Sequence, residues 1–185
     1  MTEEELIQKI KNTPGGFGEL FRLYYKPIFG YVFRRTGNFD ETADITSETF
    51  LKAFKNIKKY TYYGVAIKVW LYRIATNEVN LYYRNKKRNE SLFEQMDPEN
   101  KAAFNAYIAD DRKELELELA KSEQFVFVLK QLKTLPVKYQ EVISLRYFEG
   151  KNNKEIAEIL NTNEGTLKSL LSRGLEKLRE KCNQL

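Results

Sequence analysis

The stretch Asn153-Lys154-Glu155-Ile156-Ala157-Glu158-Ile159-Leu160, Asn161-Thr162-Asn163-Glu164, Gly165-Thr166-Leu167-Lys168-Ser169-Leu170-Leu171-Ser172-Arg173 decides how this chain is read. Two segments with helical spacing flank a polar turn of three to four residues. Ile156, Ala157 and Leu160 face Leu167 and Leu171 if the helices cross steeply, and the small Ala157 lets the second helix approach closely. That is the pattern of a helix-turn-helix. The second helix then presents Thr166, Lys168, Ser169 and Arg173 outward. These side-chain types meet base edges and phosphates. A helical hairpin with a merely basic surface has the same pattern, so the rest of the chain must separate the two.

Composition removes whole classes of chemistry. Histidine is absent from the 185 residues, and with it the commonest general base and metal ligand. The single cysteine, Cys182, excludes an internal disulfide and a CxxC knuckle. No HExxH, P-loop or GxSxG motif occurs. The chain is 42% hydrophobic and 31% charged, the balance of a soluble globular protein. Its longest wholly apolar run, Phe125 to Leu129, is far too short to span a bilayer. Met1-Thr2-Glu3-Glu4-Glu5 lacks the basic and apolar regions of a signal peptide. A cytoplasmic protein in a reducing compartment is expected.

The net charge of +5 is unevenly spread: +7 over residues 1–88, −6 over 89–123 and +4 over 124–185. A basic–acidic–basic layout suits two modules that face nucleic acid, joined by an acidic tether. Solvated faces also produce such blocks.

The helical pattern covers both basic parts, and nothing alternates with period two for long, so an all-α fold is predicted. Thr2 and Glu5 have capping-box spacing at the head of a short helix ended by Pro14-Gly15-Gly16. Phe17 to Arg35 follows, with Leu20, Leu23, Tyr24, Pro27 and Tyr31 on the repeat and Pro27 as a possible kink. Asp40 is the expected N-cap of a helix running to about Lys58 that buries Ile45, Phe50, Phe54 and Ile57. A tyrosine-rich turn, Tyr60 to Gly64, leads into a long helix from about Ala66 to Arg88, with Leu71, Ile74, Ala75 and Val79 inward. Trp70 is expected in the core. Residues 89–123 contain Pro98, ten acids and few large apolar residues, and read as a linker with at most local helix. A second helical region begins at Phe125, is broken at Leu135-Pro136 and Glu149-Gly150, and ends near Lys181.

Leu135-Pro136-Val137-Lys138-Tyr139-Gln140-Glu141-Val142 and Leu145-Arg146-Tyr147-Phe148-Glu149-Gly150 precede the helix-turn-helix. With Gly165-Thr166-Leu167-Lys168-Ser169, Arg173 and Leu178-Arg179 after it, this region resembles region 4 of the extracytoplasmic-function sigma factors of the sigma-70 family. Response-regulator output domains share part of this pattern, and the upstream half decides between them. Asp40 to Phe54 resembles the region 2 helix that docks on polymerase, and Trp70-Leu71-Tyr72-Arg73-Ile74-Ala75-Thr76-Asn77 is similar to the family's "WLyrIA-N" segment. The resemblance implies two small helical domains: region 2 over 1–88, an acidic linker over 89–123, and region 4 over 124–185.

It also implies roles. Glu164, Thr166, Lys168, Ser169 and Arg173 would read the −35 element. Tyr60, Tyr62, Tyr63, Asn77, Asn80, Arg84, Lys87 and Arg88 would bind the −10 element, with the tyrosine turn and Asn77 forming a pocket for a flipped-out base. Asp44 and Glu48, both read as exposed, would meet the β′ clamp helices of core RNA polymerase, with Ile45 and Phe50 as apolar anchors. Lys52, four residues beyond Glu48, would offset part of their mutual repulsion. Promoter DNA, the β′ clamp helices and β flap of polymerase, and an anti-sigma factor are the implied partners. No cofactor, metal, small-molecule substrate or catalytic residue is implied.

The sequence departs from the family pattern at Ser47, at Asn80, at Asn152-Asn153, where Asn153 can still serve as N-cap, and at Leu170, which stands in place of an arginine of the recognition helix. Gly174, inside the same helix, costs about 0.5–1 kcal/mol relative to alanine on propensity. The rival functional reading is a stand-alone helix-turn-helix regulator that binds duplex operator DNA.

Overall fold

Capping chemistry and the spacing of apolar residues generate the elements of the computed structural model, which describes residues 2–13, 15–85, 109, 112–113, 116–117 and 123–183. Every secondary-structure element among them is helical. The chain divides into two compact units, Met1–Leu92 and Phe93–Leu185, and the fold is all-α with two helical domains, as expected.

Among its described residues, the first unit has four α-helices. In α1 (Glu3–Asn12), the Thr2 hydroxyl accepts from the Glu5 amide at 3.2 Å while Glu5 accepts from the Thr2 amide at 2.7 Å, which completes the capping box. Leu6, Ile7 and Ile10 are its buried side. A close approach begins α2 (Gly16–Thr36): a Cβ on Gly16 would lie 2.7 Å from the carbonyl oxygens of Lys9 and Ile10. This helix runs on through Pro27, which is exposed and does not end it. Its buried side is Leu20, Tyr25, Ile28, Phe29, Tyr31 and Val32; Leu23, on the same predicted repeat as Leu20, is 51% exposed.

Helix α3 (Phe39–Asn56) is capped by Asn38, whose side chain accepts from the Glu41 amide at 3.0 Å. Asp40 is therefore not the cap but a first-turn residue, where its charge suits the helix dipole. A short 3-10 turn, Ile57–Lys59, closes α3 and leads through Tyr60–Gly64 to α4 (Ile67–Asn85). Helices α2, α3 and α4 pack on one another, and the core between them is strongly aromatic. Phe21 meets Phe50 edge-on at 4.8 Å, and Tyr31 meets Tyr72 at 5.3 Å. Ile45 and Phe50, 2% and 4% exposed, belong to this core. Ile74 is only half-buried, while Leu71, Ala75 and Val79 are fully inward.

The second unit holds α5 (Glu123–Lys133), α6 (Val137–Ile143), a π-turn at Ser144–Phe148, α7 (Asn153–Leu160) and α8 (Glu164–Asn183). Asn152, not Asn153, caps α7, in a second capping box with Glu155. The helix ends on Asn161 at φ 49°, the left-handed region that asparagine tolerates best after glycine. Ile156, Ile159 and Leu167 are the buried contacts of the hairpin; Ala157, Leu160 and Leu171 are half-buried. Gly174 lies against α6, where a Cβ would be 3.2 Å from Ile143 Cδ1 and Tyr139 Cδ1. Its cost in helix propensity thus goes with a close helix–helix approach that a larger residue would crowd. Lys87, Arg88, most of 89–123 and the break at Pro14 lie outside the described residues.

Candidate nucleic-acid interface

The candidate recognition face of α8 is built from its buried side outward. Leu167 is fully buried and Gly174 sits under Tyr139, so the opposite side is turned to solvent. The Asn163 side chain accepts from the Thr166 amide at 2.7 Å and satisfies one of the free amides at the helix start. Glu164, Thr166, Lys168, Ser169 and Arg173 are all exposed. Helical geometry sorts them into two adjoining stripes. Glu164 and Lys168 are one turn apart on the first; Thr166, Ser169 and Arg173 share the second at spacings of three and four. Leu170 is half-buried at the margin of the face.

In the first unit, the tyrosine turn separates three side chains that look alike in sequence. Tyr60 is half-buried: its ring lies 4.9 Å from Trp70 and its hydroxyl donates to the Val65 carbonyl at 2.9 Å. Burial above all, then the Glu3 charge and Tyr62, pushes that hydroxyl up to about 12. Tyr60 thus covers the edge of the core, as does Trp70, which is only half-buried. Tyr62 is half-buried, and Tyr63 is 84% exposed. On α4, Asn77 and Arg84 are exposed and Asn80 is half-buried.

The outer face of α3 differs most from expectation. Asp44 and Glu48 are half-buried rather than exposed. Desolvation raises the Glu48 carboxyl above the usual range, an effect that Lys52 opposes and Glu78 adds to. The ammonium of Lys52 is directed at Glu78 on α4, 2.6 Å away, and not only at the acids on its own helix. Ile45 and Phe50 are in the core and cannot anchor a partner without unfolding. The apolar groups that α3 does expose are Leu51, at 38%, and Phe54, at 59%; the latter was expected inside.

Sequence reasoning missed three features. Glu78 is 8% exposed within an apolar helix repeat, where only its charge marks it. Tyr83 donates to Glu41 at 3.3 Å, and burial with that contact raises its hydroxyl. Glu3 accepts from the Ile67 amide at 2.6 Å across 64 positions, and nothing local signals such a contact. Among the described residues, no group of three or more ligating side chains could hold a metal ion.

Comparison with known proteins matches residues 20–89 to the sigma-70 region 2 model and residues 127–178 to the sigma-70 region 4 model. The ECF RNA polymerase sigma factor SigW of Bacillus subtilis is 32% identical over 190 residues, covering 100% of this chain and 98% of SigW. Among solved structures, CnrH in complex with the cytosolic domain of CnrY has a TM-score of 0.66 at 21% identity, covering 96% of this chain and 94% of that one. The sigma factor RpoE in complex with the anti-sigma factor NepR from Bartonella quintana has a TM-score of 0.64 at 19% identity, covering 92% and 99%.

Proposed function

Because the chain belongs to the extracytoplasmic-function group of the sigma-70 family, the subunits that bind core RNA polymerase and direct promoter-specific transcription, we propose a division of that work among its residues. Residues 1–88 act as region 2, residues 89–123 as the tether and residues 124–185 as region 4. The chain supplies no catalytic group; polymerase performs the chemistry. It works in the cytoplasm, in keeping with the finding that no helix among the described residues is long and apolar enough to cross a membrane.

Region 4 reads the −35 element through α8. Its N-terminal half enters the major groove, Glu164 accepts from a cytosine amine and Lys168 donates to guanine, while Arg173 holds phosphate. Region 2 takes a flipped −10 base against Tyr63, the exposed aromatic group of its turn, with Asn77 and Arg84 exposed on the following helix. Asn80, Lys87 and Arg88 extend the same basic and amide-bearing segment. Polymerase docks on α3 through Asp44 and Glu48 at the rim, with Leu51 and Phe54 in the anchoring role first expected of Ile45 and Phe50. An anti-sigma factor holds the chain inactive; RpoE, solved with such a factor, shares its fold.

The observation that supports this reading best is α8 itself. All five candidate contacts stand on its open side, while Leu167 and Gly174 lock the other. Run-off transcription with purified core polymerase on a promoter library tests it. A defined promoter class transcribed only with this chain is the expected result. Tight binding to duplex operator without polymerase would instead favour a stand-alone regulator.

A further inference from the structure

Helix α1 lies outside both family matches, which begin at residue 20. It is nonetheless firmly attached: Leu6, Ile7 and Ile10 are buried, Lys9 pairs with Glu19 at 2.9 Å, and Gly16 admits its last carbonyls at close range. A helix held that rigidly can place a side chain with precision. The side chain it sets at the start of α4 is Glu3. The half-buried Glu3 carboxylate accepts from the backbone amide of Ile67 at 2.6 Å. Ile67 is the first residue of α4, so this amide is one that the helix cannot satisfy itself. A charged acceptor at a helix start gains from both the short hydrogen bond and the dipole.

The segment that enters α4 is the tyrosine turn. It is held at one end by the Tyr60 hydroxyl on the Val65 carbonyl at 2.9 Å, and at the other by Glu3 on Ile67. Between these ties Gly64 takes a φ of 77°, and Tyr63 points 84% into solvent. Glu3 is also close enough to Tyr24 and Tyr60 for its charge to act on both hydroxyls, burial acting more strongly on each.

We propose that Glu3 is a positioning residue for −10 recognition: by capping α4 from a separate helix it fixes the turn that presents Tyr63 to an unpaired base. This rests on the reading of Tyr63 given above. Without the cap, the turn retains its residues but loses one of its two fixed ends. The base then meets a mobile platform and gives up part of the stacking energy to ordering the turn.

The test uses holoenzyme assembled from core polymerase and the full chain, on a promoter recovered by run-off selection and carrying 2-aminopurine at successive −10 positions. Fluorescence reports the flipped base. Glu3→Ala should bind core polymerase as the wild type does and lower the fluorescence-detected occupancy about three- to tenfold, the range that loss of one helix cap produces. Glu3→Gln retains a carbonyl acceptor for the Ile67 amide and should restore occupancy to within about twofold. Tyr63→Ala is the reference and should lose the signal. Wild-type signal in Glu3→Ala with loss in Tyr63→Ala overturns the positioning role and leaves the base pocket standing. Wild-type signal in both overturns the pocket and the positioning role together. Core binding weakened by the same factor as occupancy, or Glu3→Gln no better than Glu3→Ala, also overturns the proposal, since either points to general loss of the fold rather than to the cap.

Discussion

Phe50 and Phe54 stand one turn apart on α3 with the same side chain, yet one is 4% exposed and the other 59%. Phe50 is enclosed by Phe21 at 4.8 Å and Tyr25 at 6.1 Å, whereas Phe54 rests edge-on against Phe17, in the first turn of α2, where the core runs out. Their substitutions should therefore separate. Phe50→Ala should cost about 3–5 kcal/mol of stability, the range for emptying an aromatic core site. Phe54→Ala and Leu51→Ala should each cost less than about 1 kcal/mol in thermal unfolding while weakening core polymerase binding several-fold, as expected of exposed anchors. Equal destabilisation by Phe50→Ala and Phe54→Ala would end the distinction. Glu48 gives a second prediction. Its carboxyl is raised by desolvation, so ionisation at neutral pH works against folding, and that penalty disappears as pH falls through the raised value. Stability should accordingly gain a component on mild acidification that Glu48→Gln lacks, and this variant should be the more stable at neutral pH. Melting temperatures of both proteins across the weakly acidic range provide the check. Reversing Asp44 and Glu48 to lysine is a poorer probe of docking than exposed sites would offer, because both are half-buried beside Lys52 and Lys55.

At the scale of the element, α8 carries two exposed stripes to which we assign different tasks. Glu164 and Lys168 occupy the first two turns, the part of a recognition helix that meets base edges. Arg173, on the other stripe and more than one turn further along, is the group suited to phosphate. Arg173→Ala should weaken binding to all sequences alike and flatten the salt dependence by roughly one phosphate contact. Lys168→Ala should change base preference at one position of the −35 element, a contact worth about 1–3 kcal/mol of discrimination. Binding across a sequence library at two salt concentrations distinguishes them; uniform weakening by both would remove the split. Most of this element was legible beforehand, since a helix-turn-helix is local: its spacing, its caps and its polar turn lie within about twenty consecutive residues. The meaning of Gly174 was not legible, because the groups it admits, Tyr139 and Ile143, belong to a different helix.

For the whole molecule, the charge layout of +7, −6 and +4 concentrates the acids in residues 89–123, the proposed tether between two basic modules. Reach does not by itself require acids: thirty-five residues of free coil extend roughly 30–35 Å on average. An acidic chain can instead lie in a basic channel built for nucleic acid, and we propose that this one runs through the active-site cleft and RNA exit path of polymerase. Replacing Glu90, Glu94, Asp97, Glu99, Asp110 and Asp111 with serine or glutamine at constant length should alter abortive initiation or weaken holoenzyme assembly, with promoter preference unchanged. Wild-type initiation and assembly in that variant would identify the tether as a spacer.

Helix periods, capping boxes, the polar turn and the segregation of charge depend on neighbours within a few positions, and these the sequence determined by itself: an all-α chain, a basic helix-turn-helix, and a second helical module ahead of it. Other properties arise where helices distant in sequence meet, and no local pattern encodes them. Packing of α2, α3 and α4 decided that Ile45 and Phe50 are core, that Leu51 and Phe54 are surface, and that Lys52 turns to Glu78. Packing of α1 brought Glu3 to the first amide of α4. Only the tertiary structure chose among the tyrosines of the turn, because the Tyr60 ring lies against Trp70 and Tyr62 is half-buried, which leaves Tyr63 as the exposed one.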